Sequence, residues 1–312
     1  MDRRRFLLGA VCFCGSFTGA FARGGGDDEF ARPSRRGFDE PEAGEILRCG
    51  TASPSPRDQA RAASAVRSFY QANREFPESI AIPVHYHVIH DGEAGKIPEN
   101  RILAQHDALS EAFEACNITF PRRGVFYIDK PEWYALQATG EVEREAKAAL
   151  GRDIGAALNI YFANIYYEKQ GDLLGRATFP WDLAIDPALD GILLHNTTPP
   201  GGGYFRGKTA IHETGHWLGL FHTFQNGCDD PGDSVDDTPF EGKPGFRCPV
   251  GRKSCPDRPG DDPVHNYMDY SGEQCMTEFT PLQIAHMRAL TAIFRTRLLS
   301  DGARASLVLD VE

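Results

Sequence analysis

The chain has 312 residues, 41% of them hydrophobic and 25% charged, the composition of a soluble globular protein. That length suits one large domain with an extra segment, or two small ones. A net charge of -11 repels phosphate backbones and argues against nucleic-acid binding. Beyond the N-terminus nothing approaches the roughly 18–20 apolar residues of a membrane span, so no membrane association is expected of the mature form.

In chain order, residues 1–22 read as an export signal. Arg3, Arg4 and Arg5 precede an apolar stretch from Phe6 to Phe13, and Ala20-Phe21-Ala22 supplies a cleavage site. Arg3 to Leu7 also matches the twin-arginine export pattern, with an ordinary Arg-rich secretory leader as the other reading. A soluble protein, secreted or periplasmic, is expected. Six cysteines remain after the leader: Cys49, Cys116, Cys228, Cys248, Cys255 and Cys275. In an oxidising compartment an even set reads first as disulfides, although spacing alone cannot choose the pairing. Residues 24–45 are rich in Gly, Pro and charge, as in an unstructured leader or pro-segment. Residues 56–73 have helical character, either as a helix that docks the pro-segment or as its link to the main domain.

The β-branched stretch 80–90 predicts a strand. Ile102, Leu103, His106, Leu109, Ala112 and Phe113 predict an amphipathic helix opening at Pro98. A strand follows at 124–128, a short helix at 140–150, a strand at 158–165 and a shorter one at 190–195. Lys208 to Phe224 reads as a strong helix, and 281–298 as a closing one. The alternation indicates an α/β domain. Residues 226–265 hold many Gly, Pro and Asp, and so long a loop region must be held by disulfides or ions.

Residues 212–222 read HETGHWLGLFH. His212 and His216 are four apart, so on a helix they share a face and can bind one metal. Glu213 can point at a metal-bound water. Gly219 can take a positive φ, end the helix and turn the chain, which returns His222 as a third ligand. Three His ligands leave an open position on Zn²⁺, the mark of a catalytic site. The alternative, chance histidines on an amphipathic helix, is weak because the eleven-residue form HExxHxxGxxH fixes five positions. Trp217, Leu218, Leu220 and Phe221 are read as core packing.

This string resembles the metzincin zinc motif, which is followed by a Met-turn; here Asn266 to Tyr270 supplies it, with Met268 46 residues after His222. The strings TAIHETGHWLGLFHTF, GDSVDDTP and NYMDYSGEQCMTEFTPLQ are similar to the pappalysin family of metalloproteases, in its ulilysin-like secreted branch. The likeness is dense from 208 to 290. It implies a metzincin-type α/β (α+β) catalytic domain. A twisted, mostly parallel sheet and the zinc helix would form the upper part, and an irregular disulfide-bound lower part would carry a C-terminal helix. The implied organisation is a signal peptide (1–22), a pro-segment (23–75), a catalytic domain (76–300) and a tail (301–312).

The resemblance further implies a secreted zinc endopeptidase made as a latent zymogen, acting on protein or peptide substrates. His212, His216 and His222 would bind Zn²⁺, and Glu213 would be the general base and acid toward the zinc-bound water. Met268 would floor the site, and Tyr270 would stabilise the tetrahedral intermediate, with a simply packed tyrosine as the alternative. It also implies disulfides Cys228–Cys255 and Cys248–Cys275. Similar proteins bind Ca²⁺ nearby, and Asp233, Asp236, Asp237 and Thr238 offer hard oxygen ligands, a solvated acidic loop being the other reading. Cys49 is either a thiolate switch on the zinc or the partner of Cys116 in a disulfide; Asp39 is a weaker switch candidate. The strand at 190–195 is a candidate sheet edge for an added peptide, with Gly201 to Gly203 near the cleft. The rival function is an exported zinc-containing peptide-binding or adhesion module without turnover, against which the retained Glu213 speaks. Cysteine spacing speaks against other metzincin groups.

Overall fold

The computed structural model describes residues 46–72 and 79–299. The expected signal peptide, Asp39 and the tail 301–312 lie outside the described residues. In chain order the elements are β1 (Leu47–Cys49), α1 (Pro56–Gln71), β2 (Ile80–Ala81), β3 (Val84–His90), α2 (Glu99–Glu114), β4 (Ile118–Thr119), β5 (Arg122–Asp129), α3 (Pro131–Tyr134), β6 (Ala135–Gln137), α4 (Glu141–Leu150), β7 (Leu158–Tyr167), β8 (Gly171–Ala177), β9 (Ile192–His195), α5 (Lys208–Trp217) and α6 (Pro281–Phe294).

The main sheet runs β1-β8-β9-β7-β3-β5. β5, β3, β7 and β9 are parallel, and β8 runs against β9. Every residue of β3 is buried, as befits a central strand covered on both faces. α2 turns Ile102, Gln105, Leu109 and Phe113 inward. Ile102, Leu109 and Phe113 meet Val84, Tyr86, Val88, Ile211 and Trp217 in the core between one sheet face and α5. Each large side chain buried there contributes about 1.5–3 kcal/mol. The other sheet face packs Tyr161, Ala163 and Leu193 against Ala146 of α4.

Three expectations need correction. The stretch 80–90 is not one strand. Pro83 has no N–H to give a ladder, so β2 pairs with β4 in a separate small sheet and β3 starts afresh. The helix expected to reach Phe224 stops at Trp217, because Gly219 follows with φ +104°. The strand at 190–195 is not an edge, since β8 lies outside it. β8 escapes the sequence pattern because Gly171 and Gly175 dilute its β propensity.

β1 comes from residues expected in the pro-segment and lies parallel along β8, with Leu47 beside Leu173 and Cys49 beside Gly175. α1 continues from it. Ser55 caps α1 by accepting from the Asp58 N–H. Ala62 packs against Trp181, Phe221 and Leu290, and Phe69 against Ala289, Ala292 and Leu299. Residues 218–280 are mostly turns, cross-linked by disulfides Cys228–Cys255 and Cys248–Cys275. Cys49 and Cys116 are free and buried, so the alternative of a disulfide between them falls. No described helix is long and apolar enough to cross a membrane.

Candidate active site

α5 carries His212 and His216 on one face, and the turn at Gly219 brings His222 back beneath it. The Nε2 atom of His216 lies 3.1 Å from Nε2 of His212 and 3.1 Å from Nε2 of His222. The far sides of two rings are fixed. His212 Nδ1–H donates to the Tyr267 carbonyl at 2.7 Å and His216 Nδ1–H to the Leu220 carbonyl at 2.8 Å. With the proton held at Nδ1, each Nε2 presents a lone pair to the common centre. All three rings are buried, and burial holds His212 near 4 and pushes His216 and His222 well below the usual imidazole range, helped by their neighbouring rings. Neutral imidazoles converging on one point fit a cation, and this donor chemistry suits Zn²⁺. The Cys49 sulfur joins the three, all four ligand atoms lying within 4.8 Å of one another.

Glu213 is fully buried. Its Oε2 accepts from the Thr51 hydroxyl at 2.8 Å, and its Oε1 has no hydrogen-bond partner. Burial pushes the carboxyl up to about 8, against the hydrogen bond from Thr51. Thr51 in turn accepts from the Ala177 N–H at 2.8 Å. Thr51 was not singled out by the sequence, which offers only its place two residues after Cys49. Met268 is fully buried under α5. A methyl on Gly215 would overlap the Met268 sulfur, which explains a glycine inside the metal motif. The Tyr270 ring stands 5.0 Å from His222 and 5.8 Å from His212.

The four acidic-loop residues separate. Asp233 is buried, its Oδ1 accepts from the Val235 N–H at 3.0 Å, and its Oδ2 lacks a hydrogen-bond partner, as do the hydroxyls of Ser234 and Thr238. Asp237 instead caps α6, accepting from the Thr280 hydroxyl at 2.6 Å and the Leu282 N–H at 2.9 Å. Asp236 is exposed. His85 and His87 are packing residues on β3, bonded to Asp153 and Asn159 at 2.9 Å each.

A cavity of about 930 Å³ opens along the β8 side, lined by Leu174, His195, Tyr134, Phe205 and Gly201 to Gly203. A small one adjoins it through Leu174, Tyr204 and Phe205 and reaches His212, Tyr270 and Glu273, with Arg48 in its wall.

This fold and this His-rich site define a metzincin-type metallopeptidase. A family model described as pregnancy-associated plasma protein-A matches residues 204–292. An extracellular metalloprotease of Pyricularia oryzae is 37% identical over 80% of this chain and 90% of its own length. One from Verticillium alfalfae is 37% identical over 80% and 91%. The chain therefore belongs to the pappalysin family of metalloproteases. Among solved structures, a Tannerella forsythia promirolysin mutant superposes with a TM-score of 0.68 at 24% identity, over 83% of this chain and 98% of that one. Mature mirolysin in complex with a cleaved peptide gives 0.62 at 27%, over 73% and 98%.

Proposed function

We propose that the chain is an exported zinc endopeptidase held latent by its own pro-segment. The observation that carries this is the convergence of three imidazole Nε2 atoms beside the buried carboxyl of Glu213, with Cys49 and Thr51 inserted among them. His212, His216 and His222 would hold Zn²⁺, which when bound lowers the pKa of water toward about 7 and polarises a carbonyl. Glu213 takes the proton of the attacking water and delivers it to the leaving amine, so that water adds across the C–N bond. Tyr270 donates its hydroxyl to the oxyanion. Met268 supports the metal helix from below.

An extended peptide would replace β1 on β8, running antiparallel to it and filling the adjoining cavity. In the latent form the Cys49 sulfur would be the fourth ligand to the metal, and the Thr51 hydroxyl would hold Glu213. The working boundaries are a signal peptide at 1–22, a pro-segment at 23–75, a catalytic domain at 76–300 and a tail at 301–312. The unpaired oxygens of Asp233, Ser234 and Thr238 would take Ca²⁺, a hard cation matched to such ligands.

The test is cleavage of a peptide mixture by chain freed of residues 1–75, beside Glu213→Ala and with a zinc chelator. Chelator-sensitive cleavage absent from the variant supports the reading. No cleavage at one zinc per chain overturns it in favour of a peptide-binding module.

A further inference from the structure

β1 marks out the cleft it fills. Successive side chains of a strand point to opposite faces, so residues two apart share a face. Cys49 lies at the histidines and beside Gly175 of β8. The residue before it, Arg48, stands in the wall of the small cavity that reaches His212. Two residues further back, Ile46 stands in the wall of the cavity of about 930 Å³. Followed from Cys49 toward Leu47, one face of the pro-segment therefore meets the small cavity and then the large one.

The large cavity is shaped by the fold around it. Ile97, Leu174, Tyr204 and Phe205 give it apolar and aromatic walls, and Tyr134, the last residue of α3, adds a further ring. The Tyr134 hydroxyl accepts from the Asn196 side chain at 3.2 Å. The loop 197–203 forms another wall, and one guanidinium holds it. Arg101 donates from Nε to the Pro200 carbonyl at 2.9 Å, and from Nη2 to the carbonyls of Pro199 at 2.5 Å and Thr197 at 3.2 Å. The other polar groups of the wall are largely engaged as well. Lys96 pairs with Glu93 at 2.9 Å, and His195 has Thr197 at 2.8 Å and Asn164 at 3.0 Å on its two ring nitrogens. The surface left to a ligand is mostly apolar, as in a site that binds a hydrophobic side chain.

We infer that the large cavity is a specificity site for the third residue after the scissile bond, and that it takes a large apolar or aromatic side chain. The inference rests on the peptidase reading above, in which a substrate runs antiparallel to β8. Such a peptide carries its C-terminal side from Gly175 toward Leu173. Its first residue after the cut falls where Arg48 stands, and its third where Ile46 stands. Ile46 is itself a side chain of the class the cavity fits.

The test uses the full-length chain after proteolytic removal of the pro-segment, as wild type and as Tyr134→Ala. Mass spectrometry of a digested peptide mixture first fixes a cleaved bond. That substrate is then remade with Phe, Leu, Gly, Asp or Lys as the third residue after the bond, and kcat/KM is taken for each. Phe and Leu are expected to exceed Gly and Asp roughly tenfold or more, the effect of taking a large apolar side chain out of water. Tyr134→Ala removes part of the wall and is expected to shrink the ratio of Phe to Gly. If that variant does not fold, the wild-type series alone decides. Equal kcat/KM across the five peptides, a preference for Asp or Lys, or a ratio unchanged in folded Tyr134→Ala would overturn the inference while leaving the peptidase reading intact. Discrimination at the third residue before the bond would overturn it too, since the peptide would then run the other way. A wild-type chain that cleaves nothing would sink the peptidase reading and this inference with it.

Discussion

Gly175 and Gly215 lie on either side of Glu213 for different reasons. At Gly215 a methyl would collide with the Met-turn sulfur, so the glycine serves packing. At Gly175, on β8, an added Cβ would sit 2.8 Å from Glu213 Oε1 and 2.7 Å from its Cγ. A shift of the carboxylate by about 1 Å is worth on the order of 10²-fold in rate. Gly175→Ala is therefore expected to lose about that much kcat while its melting temperature barely moves; peptide cleavage and thermal melts read the two, and a wild-type kcat would mean that Glu213 has room to spare. The same carboxylate gives the Thr51 hydrogen bond its weight. Leaving a buried acceptor unpaired costs roughly 1–3 kcal/mol. If the chain is the proposed zymogen, Thr51→Val should loosen its latent form and raise its residual activity before any cut, without changing the activity once residues 1–75 are removed. Equal activity of latent wild type and variant would count against this second latch.

Among the elements, α4 and β8 are joined by buried charge. Glu143 lies 2.9 Å from Lys147 Nζ and 2.6 Å from Arg176 Nη1, and it accepts from the Thr139 N–H at 2.7 Å. Lys147 also donates to the Leu189 carbonyl at 3.1 Å. Burial by itself would raise the Glu143 carboxyl, but Lys147, Arg176 and the Thr139 N–H outweigh it and hold it at about 2, below the ordinary 4.5. A depressed carboxylate stabilises the fold above its unfolded pKa, and that share is lost as pH falls from 4.5 through about 2. Glu143→Gln strands the buried Lys147 and the partly buried Arg176 and should cost about 3–5 kcal/mol at neutral pH. Urea titrations at pH 7 and pH 3 should show the gap to wild type narrowing with acid; a constant gap would exclude this ionisation as the cause. Elements of this sheet were unevenly legible. Apolar spacing marks α2 and α6, while β3 and β7 stand out as β-branched, apolar-rich stretches because they are buried on both faces. β1 and β8 carry no such signal, since they are strands by virtue of the neighbours they pair with. The buried tie of Arg295 to Asp190, at 2.9 Å, with the guanidinium 3.6 Å over the Trp217 ring, spans 105 residues and could not be read from local pattern. The metal motif could, because its three histidines fall within eleven consecutive residues and one helix with the glycine turn after it sets their geometry.

At the scale of the whole molecule, a core-rich upper part meets a lower part with little regular structure. The lower part depends on cross-links, and its two disulfides close loops of equal separation, 27 residues each. By loop entropy alone each should be worth about 3–4 kcal/mol. Their surroundings differ. Cys228 and Cys255 tie the acidic loop to the 254–258 turn, and neither lines the small cavity beside His212. Cys275 lies five residues after Tyr270 and two after Glu273, on the stretch that also forms the wall of the small cavity beside His212. Replacing Cys228 and Cys255 together by serine should therefore lower stability and leave kcat per active site close to wild type. Replacing Cys248 and Cys275 should lower stability by a similar amount and reduce kcat as well, because the Met-turn loop loses the anchor that holds it against α5. Denaturant midpoints and active-site-titrated kinetics on the two double variants separate these effects. Equal kcat losses would mean that the lower part acts as one rigid block, and no loss in either would mean that α5 and the Met-turn hold the site without it.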